Sequence, residues 1–191
     1  MSLQDQTLYT LPIKGINNPM VEQAVNAYSH LSEVGDEVVI IGGGVVGCEL
    51  ALDVAHKNKK VTIVEMAKEL GGPALYDFRN GNKRINMSAN GGPESLIESL
   101  VSKVNENKSI KYYTEARCTE IKDGQVVIEV NNNTITIDTN SVLLTTGFKA
   151  DLDEAYSFYN IIQDTNIIGD LDRVSNIHHA VDGAFTLASS I

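Results

Sequence analysis

Four consecutive β-branched residues, Val38-Val39-Ile40-Ile41, run without a polar break into Gly42-Gly43-Gly44-Val45-Val46-Gly47. An unalternating run of this kind suits a strand covered on both faces, and so a parallel sheet between two layers. The glycines then turn the chain. Val45 to His56 reads as a helix with Val46, Leu50, Ala51 and Val54 on its inner side. A second buried run follows at Val61-Thr62-Ile63-Val64. Strand, tight turn, helix and strand within about 30 residues form a βαβ unit with parallel strands, which commits the chain to an α/β class.

Composition narrows the function classes. The chain has 191 residues, 42% hydrophobic and 21% charged, which suits one globular domain or one plus a fragment. No apolar stretch is long enough to cross a bilayer, and Met1-Ser2-Leu3-Gln4-Asp5 carries no basic-then-apolar leader. A cytoplasmic protein with no membrane partner is expected. The net charge of -10 argues against a nucleic-acid partner, because an acidic surface repels phosphate backbones. Cys48 and Cys118 form no C-x-x-C and have no histidine at metal spacing, so no metal site or redox disulfide is expected. They read as buried thiols.

Along the rest of the chain, Leu8 to Leu11 reads as a short strand. Pro19 opens a helix to about Ser32, with Met20, Ala24, Ala27, Tyr28 and Leu31 at helical spacing. Residues 66–92 form a long Gly-rich loop, within which Arg79 and Arg84 read as surface residues. Pro93 opens a helix through Leu96, Leu100, Val101 and Val104, and Ile110 to Tyr113 is a strand. Ala116 to Ile121, Gln125 to Val130 and Thr134 to Ile137 alternate in polarity. Asp123-Gly124 and Asn131-Asn132-Asn133 separate them, which predicts a three-stranded antiparallel meander. Val142 to Leu144 is an apolar strand, residues 152–160 are helical, and Asn166 to Ile168 is a short strand. Asn176 to Ser189 is a last helix with Ile177, Ala180, Val181, Ala184 and Leu187 on one face.

The glycine turn carries the chemistry. Gly42 to Gly47 fits G-x-G-x-x-G between a strand and a helix, and the next strand ends in Glu65, 18 positions past Gly47. In this pattern Gly42 permits the tight turn, Gly44 lets a pyrophosphate approach the backbone, and Gly47 lets helix and strand pack closely. The amides of Gly43, Val45 and Val46 lie in the same loop, where a helix N-terminus favours an anion. Glu65 suits the adenosine ribose hydroxyls and repels a 2′-phosphate, which favours NAD(H) over its phosphorylated form. Glu49 either gains only from the helix dipole or sits near the nicotinamide end. Gly169-Asp170 before the last helix reads as a turn, or as a group holding a ribityl or phosphate. His178 and His179 are adjacent and cannot chelate one metal together.

Taken together, these residues resemble the pyridine-nucleotide-disulfide-oxidoreductase superfamily. The residues that carry the resemblance are Val38 to Glu49, Val61 to Met66, the meander, Thr145-Thr146-Gly147-Phe148-Lys149, and Ile168-Gly169-Asp170 with its helix. Within it the chain is most similar to the C-terminal part of bacterial NADH:flavin oxidoreductases of the 2-enoate and 2,4-dienoyl-CoA reductase group. The resemblance implies Gly42, Gly44, Gly47 and Glu65 as NADH ligands and Glu49 as a nicotinamide-side residue. It also implies Gly147, Gly169 and Asp170 at cofactor sites, the last two as FAD contacts in a longer parent. FMN and an iron–sulfur cluster would lie outside this chain.

The expected fold is a Rossmann-like parallel sheet with helices on one side and the meander on the other. Residues 1–34 would be an FAD-domain remnant with a connecting helix, 35–150 the NAD(H) domain, and 151–191 the last piece of the FAD domain. No earlier G-x-G-x-x-G is present, so the chain reads as an excised fragment whose partners are NADH and the missing FAD and FMN domains. Hydride delivery from NADH to FAD is the expected role, with the isolated chain catalytically incomplete. The alternative is a redox-sensing nucleotide-binding module with no hydride transfer.

Overall fold

The computed structural model of the chain describes residues 6–8, 11–72, 93–159, 161, 165–174 and 177–190. The first half holds β1 (Gln6–Leu8), β2 (Val21–Gln23), α1 (Ala24–Ala27), β3 (Glu37–Ile41), α2 (Val45–Ala55) and β4 (Lys60–Val64). The second holds α3 (Pro93–Glu106), β5 (Ile110–Tyr113), β6 (Ala116–Lys122), β7 (Gln125–Val130), β8 (Asn133–Asp138), β9 (Ser141–Leu144), β10 (Phe148–Ala150), α4 (Leu152–Ser157) and α5 (Ile177–Ala188). A one-turn 3₁₀ helix, Gly169–Leu171, precedes α5. The chain divides into two compact units, Leu11–Thr145 and the paired ends Met1–Thr10 with Thr146–Ile191.

The larger unit is built on a five-stranded sheet in the order β2-β9-β3-β4-β5, with every pairing parallel. Side chains alternate across a strand, so the apolar run of β3 serves two cores. Val38 and Ile40 point into one that holds Leu50, Ala51 and Val54 of α2 and Val104 of α3. Val39 and Ile41 point into the other, against Ala116, Cys118, Ile121, Val126 and Ile128 of the meander β6-β7-β8. Each fully buried branched side chain contributes about 1.5–3 kcal/mol. That burial outweighs the weak β preference of any single residue and explains why Val38 to Ile41 hold no polar residue. The meander turns where its composition predicts, with Gly124, Asn131 and Asn132 at positive φ. The Rossmann-like sheet with helices on one side and the meander on the other is therefore the observed architecture.

Four local expectations need correction. Val21–Gln23 is a strand and not the start of a helix, and only Ala24–Ala27 is helical. The edge of β9 supplies the reason. Val21 to Gln23 pair in parallel with Val142 to Leu144, and the Met20 carbonyl accepts the Val142 N–H at 2.8 Å. Ladder bonds outweigh a weak helical periodicity. Val46, expected on the inner side of α2, is 50% exposed, because Gly47 and Cys48 take the inward positions of the first turn.

Asn166 to Ile168 belongs to no sheet among the described residues, since no neighbouring strand pairs with it. The apolar stripe of α5 is present, but no described residue of the helix is buried and Ile177, Val181 and Phe185 are exposed. Periodicity identifies an amphipathic helix without supplying its cover. In the smaller unit, β1 pairs antiparallel with β10. The expected strand at Leu8 to Leu11 is met in part by β1, with Tyr9 and Thr10 outside the described residues. Residues 73–92, including Arg79 and Arg84, and Asn160 and Asn176 also lie outside them.

Candidate functional site

The site grows from the C-terminal end of β3, where the sheet has finished its hydrogen bonding. Gly42 takes φ +111°, a conformation that side chains oppose. A Cβ there would lie 2.7 Å from both the carbonyl oxygen and Oγ1 of Thr145. Gly47, one turn into α2, lies directly against the Gly42 carbonyl. Gly44 differs from both. It is the N-cap of α2 with extended backbone (φ −66°, ψ −171°), and a Cβ built on it meets nothing within 4 Å among the described residues. Among the described residues, nothing in the packing requires glycine at Gly44. α2 also begins without a capping side chain, although the first N–H groups of a helix have no intrahelical acceptor.

Glu65 follows β4 and is half-buried beside this turn. Its Oε2 accepts the Gly43 N–H, and its Oε1 accepts the Ala67 N–H at 2.6 Å. Two backbone amides thus fix the carboxylate next to the glycine turn. Sequence reasoning missed two further contributors. Gly71 donates its N–H to the Gly43 carbonyl at 2.8 Å, so the Gly71-Gly72 pair lies along the turn. Thr145, at the end of β9, places its hydroxyl 2.7 Å from the Gly42 carbonyl oxygen. The adjacent glycines at 71–72 and the Thr145-Thr146-Gly147 sequence were the available signals, but neither states its partner.

The remaining candidates lie elsewhere. Val45 and Val46 form the first turn of α2. Glu49 is exposed on α2 and lines a groove of about 660 Å³ with Tyr28, Asp53, His56, Leu100 and Lys103. Gly147, Gly169 and Asp170 belong to the smaller unit. Gly169 and Asp170 open the 3₁₀ turn, where the Gly169 carbonyl accepts the N–H groups of Asp172 and Arg173. His178 and His179 reach separate carboxylates, Asp182 at 3.5 Å and Asp172 at 3.4 Å. Among the described residues no cluster of metal-ligating side chains occurs, and no helix is long and apolar enough to cross a membrane.

Both cysteines are buried and free, in the two different cores on opposite faces of the sheet. Burial pushes each thiol up to about 11, with nearby Glu65 and Glu49 adding to the effect at Cys48. The thiolate is the reactive form, so both thiols should be inert at neutral pH. We expect a colorimetric disulfide reagent at pH 8 to modify neither thiol in the folded chain and both in guanidinium. A native thiol that reacts within minutes would contradict this placement.

The sequence profile of the pyridine nucleotide-disulphide oxidoreductases matches residues 6–172. The cinnamate reductase of Clostridium sporogenes is 29% identical over 185 residues, covering 95% of this chain and 25% of that protein. The NADH oxidase of Thermoanaerobacter brockii is 27% identical over 160 residues, covering 82% and 21%. Among solved structures, a 2-naphthoyl-CoA reductase superposes with a TM-score of 0.71 at 22% identity, over 97% of this chain and 26% of that one. The chain thus spans about a quarter of the length of these relatives. With the profile matched across both units and the glycine turn in place, the chain belongs to the pyridine nucleotide-disulphide oxidoreductase family.

Proposed function

We propose that the larger unit binds NADH and presents it to the flavin of a longer, FAD-dependent reductase. One observation carries this reading. Gly42 and Gly47 are glycines for internal reasons, whereas Gly44 meets no described residue, at a helix N-terminus without a capping side chain. A glycine that the described packing does not need, set where a helix dipole favours an anion, suits the close approach of a pyrophosphate. In this reading the amides at Gly44 to Gly47 hold the phosphates, the Gly43 amide holds Glu65, and Glu65 accepts bonds from the adenosine ribose hydroxyls. The carboxylate already carries two amide bonds. A 2′-phosphate would set negative charge against it.

NADH, when bound, supplies a hydride to a flavin. The chain's residues do the holding and orienting, and Glu49 would lie toward the nicotinamide side. The smaller unit would belong to the FAD-binding lobe, where Gly169 and Asp170 serve the cofactor, with Gly147 at a cofactor site of the same unit. The whole protein would reduce an enoate- or enoyl-type substrate, consistent with the names of the cinnamate and naphthoyl-CoA reductases it resembles. FMN and an iron–sulfur centre would belong to the remainder of such a protein.

Calorimetric titration of the 191-residue chain with each nucleotide tests the reading. NADH should bind saturably and at least about tenfold more tightly than NADPH, a difference of roughly 1.4 kcal/mol. Glu65→Ala should bring the two affinities together. No saturable heat with either nucleotide would overturn the reading for this chain.

A further inference from the structure

We propose that Thr145 is a positioning residue for this site. It locks the peptide between Gly42 and Gly43 and so aims the carboxylate that selects the nucleotide. The proposal deepens the NADH reading above and rests on it for its consequence, although the lock itself exists without ligand.

A peptide group is planar, so its carbonyl and its N–H point in opposite directions. In the Gly42–Gly43 peptide the oxygen lies 2.7 Å from the Thr145 hydroxyl, and the N–H donates to Glu65 Oε2. One rigid plane therefore links a hydroxyl at the end of β9 to a carboxylate beyond β4. Glycine flanks the plane on both sides, so the local chain does little to hold it against rotation. A flipped peptide would withdraw the N–H and turn a carbonyl oxygen toward Glu65.

Thr145 is well placed to prevent that. Its N–H donates to the Ile41 carbonyl at 2.9 Å, and its hydroxyl also lies 3.1 Å from that oxygen. The side chain is thereby pinned to the end of β3 before it reaches Gly42. The next peptide is held by other groups. The Gly43 carbonyl accepts the Gly71 N–H at 2.8 Å and faces the Cys48 thiol at 3.4 Å. On the far side of Glu65, the Ala67 N–H holds Oε1. The hydroxyl of Thr145 is the side-chain donor to the Gly42 carbonyl, and that peptide's amide is what Glu65 needs.

Thr145→Ala removes the hydroxyl without adding bulk, and Thr145→Ser keeps it. Thr145→Ala is expected to weaken NADH binding about five- to tenfold and to narrow the NADH over NADPH preference. Thr145→Ser should restore both to within about twofold. Combining Thr145→Ala with Glu65→Ala should add no further loss of affinity, because the two residues act through one peptide. Without ligand, Gly43 amide exchange followed by NMR should be protected in the parent and in Thr145→Ser. It should be about tenfold faster in Thr145→Ala, with the melting temperature lowered by no more than a few degrees. Equal Gly43 protection in all three, or losses that add in the double variant, would overturn the proposal. If Gly43 responds as expected but neither nucleotide binds the parent, the lock stands while its selectivity role and the NADH reading fall together.

Discussion

Gly44→Ala is expected to leave the fold intact and to remove NADH binding. The backbone at Gly44 is already in a region that alanine adopts freely, and its Cβ would meet none of the described residues. Two small effects on stability oppose each other. Alanine is a poorer N-cap than glycine, and it lowers the entropy of the unfolded chain by an amount worth about 0.4–1 kcal/mol. The melting temperature should therefore stay within about 3 °C of the parent's, since each kcal/mol shifts it by only a few degrees. A methyl group standing at the proposed pyrophosphate contact should weaken NADH more than about 100-fold, roughly 2.7 kcal/mol. Circular dichroism melting and calorimetric titration of one preparation separate the two effects. Undiminished affinity would move the nucleotide away from this turn.

Gly47→Ala should give the opposite pattern, with the fold itself damaged. A Cβ at Gly47 would overlap the Gly42 carbonyl oxygen and lie 3.0 Å from both its carbon and Thr145 Oγ1. Backbone atoms of a strand end cannot rotate aside as a side-chain tip can, so α2 must move off the sheet. Overpacking of this kind costs up to about 3 kcal/mol, and the better helix propensity of alanine offsets about 1. A net loss of about 2 kcal/mol should lower the melting temperature by roughly 4–8 °C. NADH affinity should fall as well, because the turn shifts with the helix. A variant that melts with the parent would mean that α2 does not rest on the Gly42 carbonyl.

These two glycines have the same composition and sit three residues apart, yet the expected outcomes differ in kind. The motif spacing assigns them roles, and the surroundings of each Cβ supply the physical test of those roles. Glu65 is a similar case. Its place after the second strand is legible from the pattern, whereas its two amide bonds depend on how the turn and the following bend meet.

What the amino-acid sequence by itself determined is the frame. Val38 to Ile41 and Val61 to Val64 are continuous branched runs, and such runs are stable only with cover on both faces. Alternation at Ala116 to Ile137, with glycine and asparagine between the runs, required a meander with one face buried. The five-residue spacing from Gly42 to Gly47 demanded a tight turn into a helix. All of these are properties of neighbours along the chain, where backbone sterics and side-chain period act directly.

The tertiary structure decided what depends on distant partners. Val21 to Gln23 became a strand because the edge of β9, about 120 residues later, offered ladder bonds. Val46 turned outward because Gly47 and Cys48 took the places against the sheet. Thr145 reached Gly42 across 103 positions, and Gly71 reached Gly43 from beyond β4. A hydrogen bond needs only proximity and angle, and the fold creates both between residues that no local spacing relates.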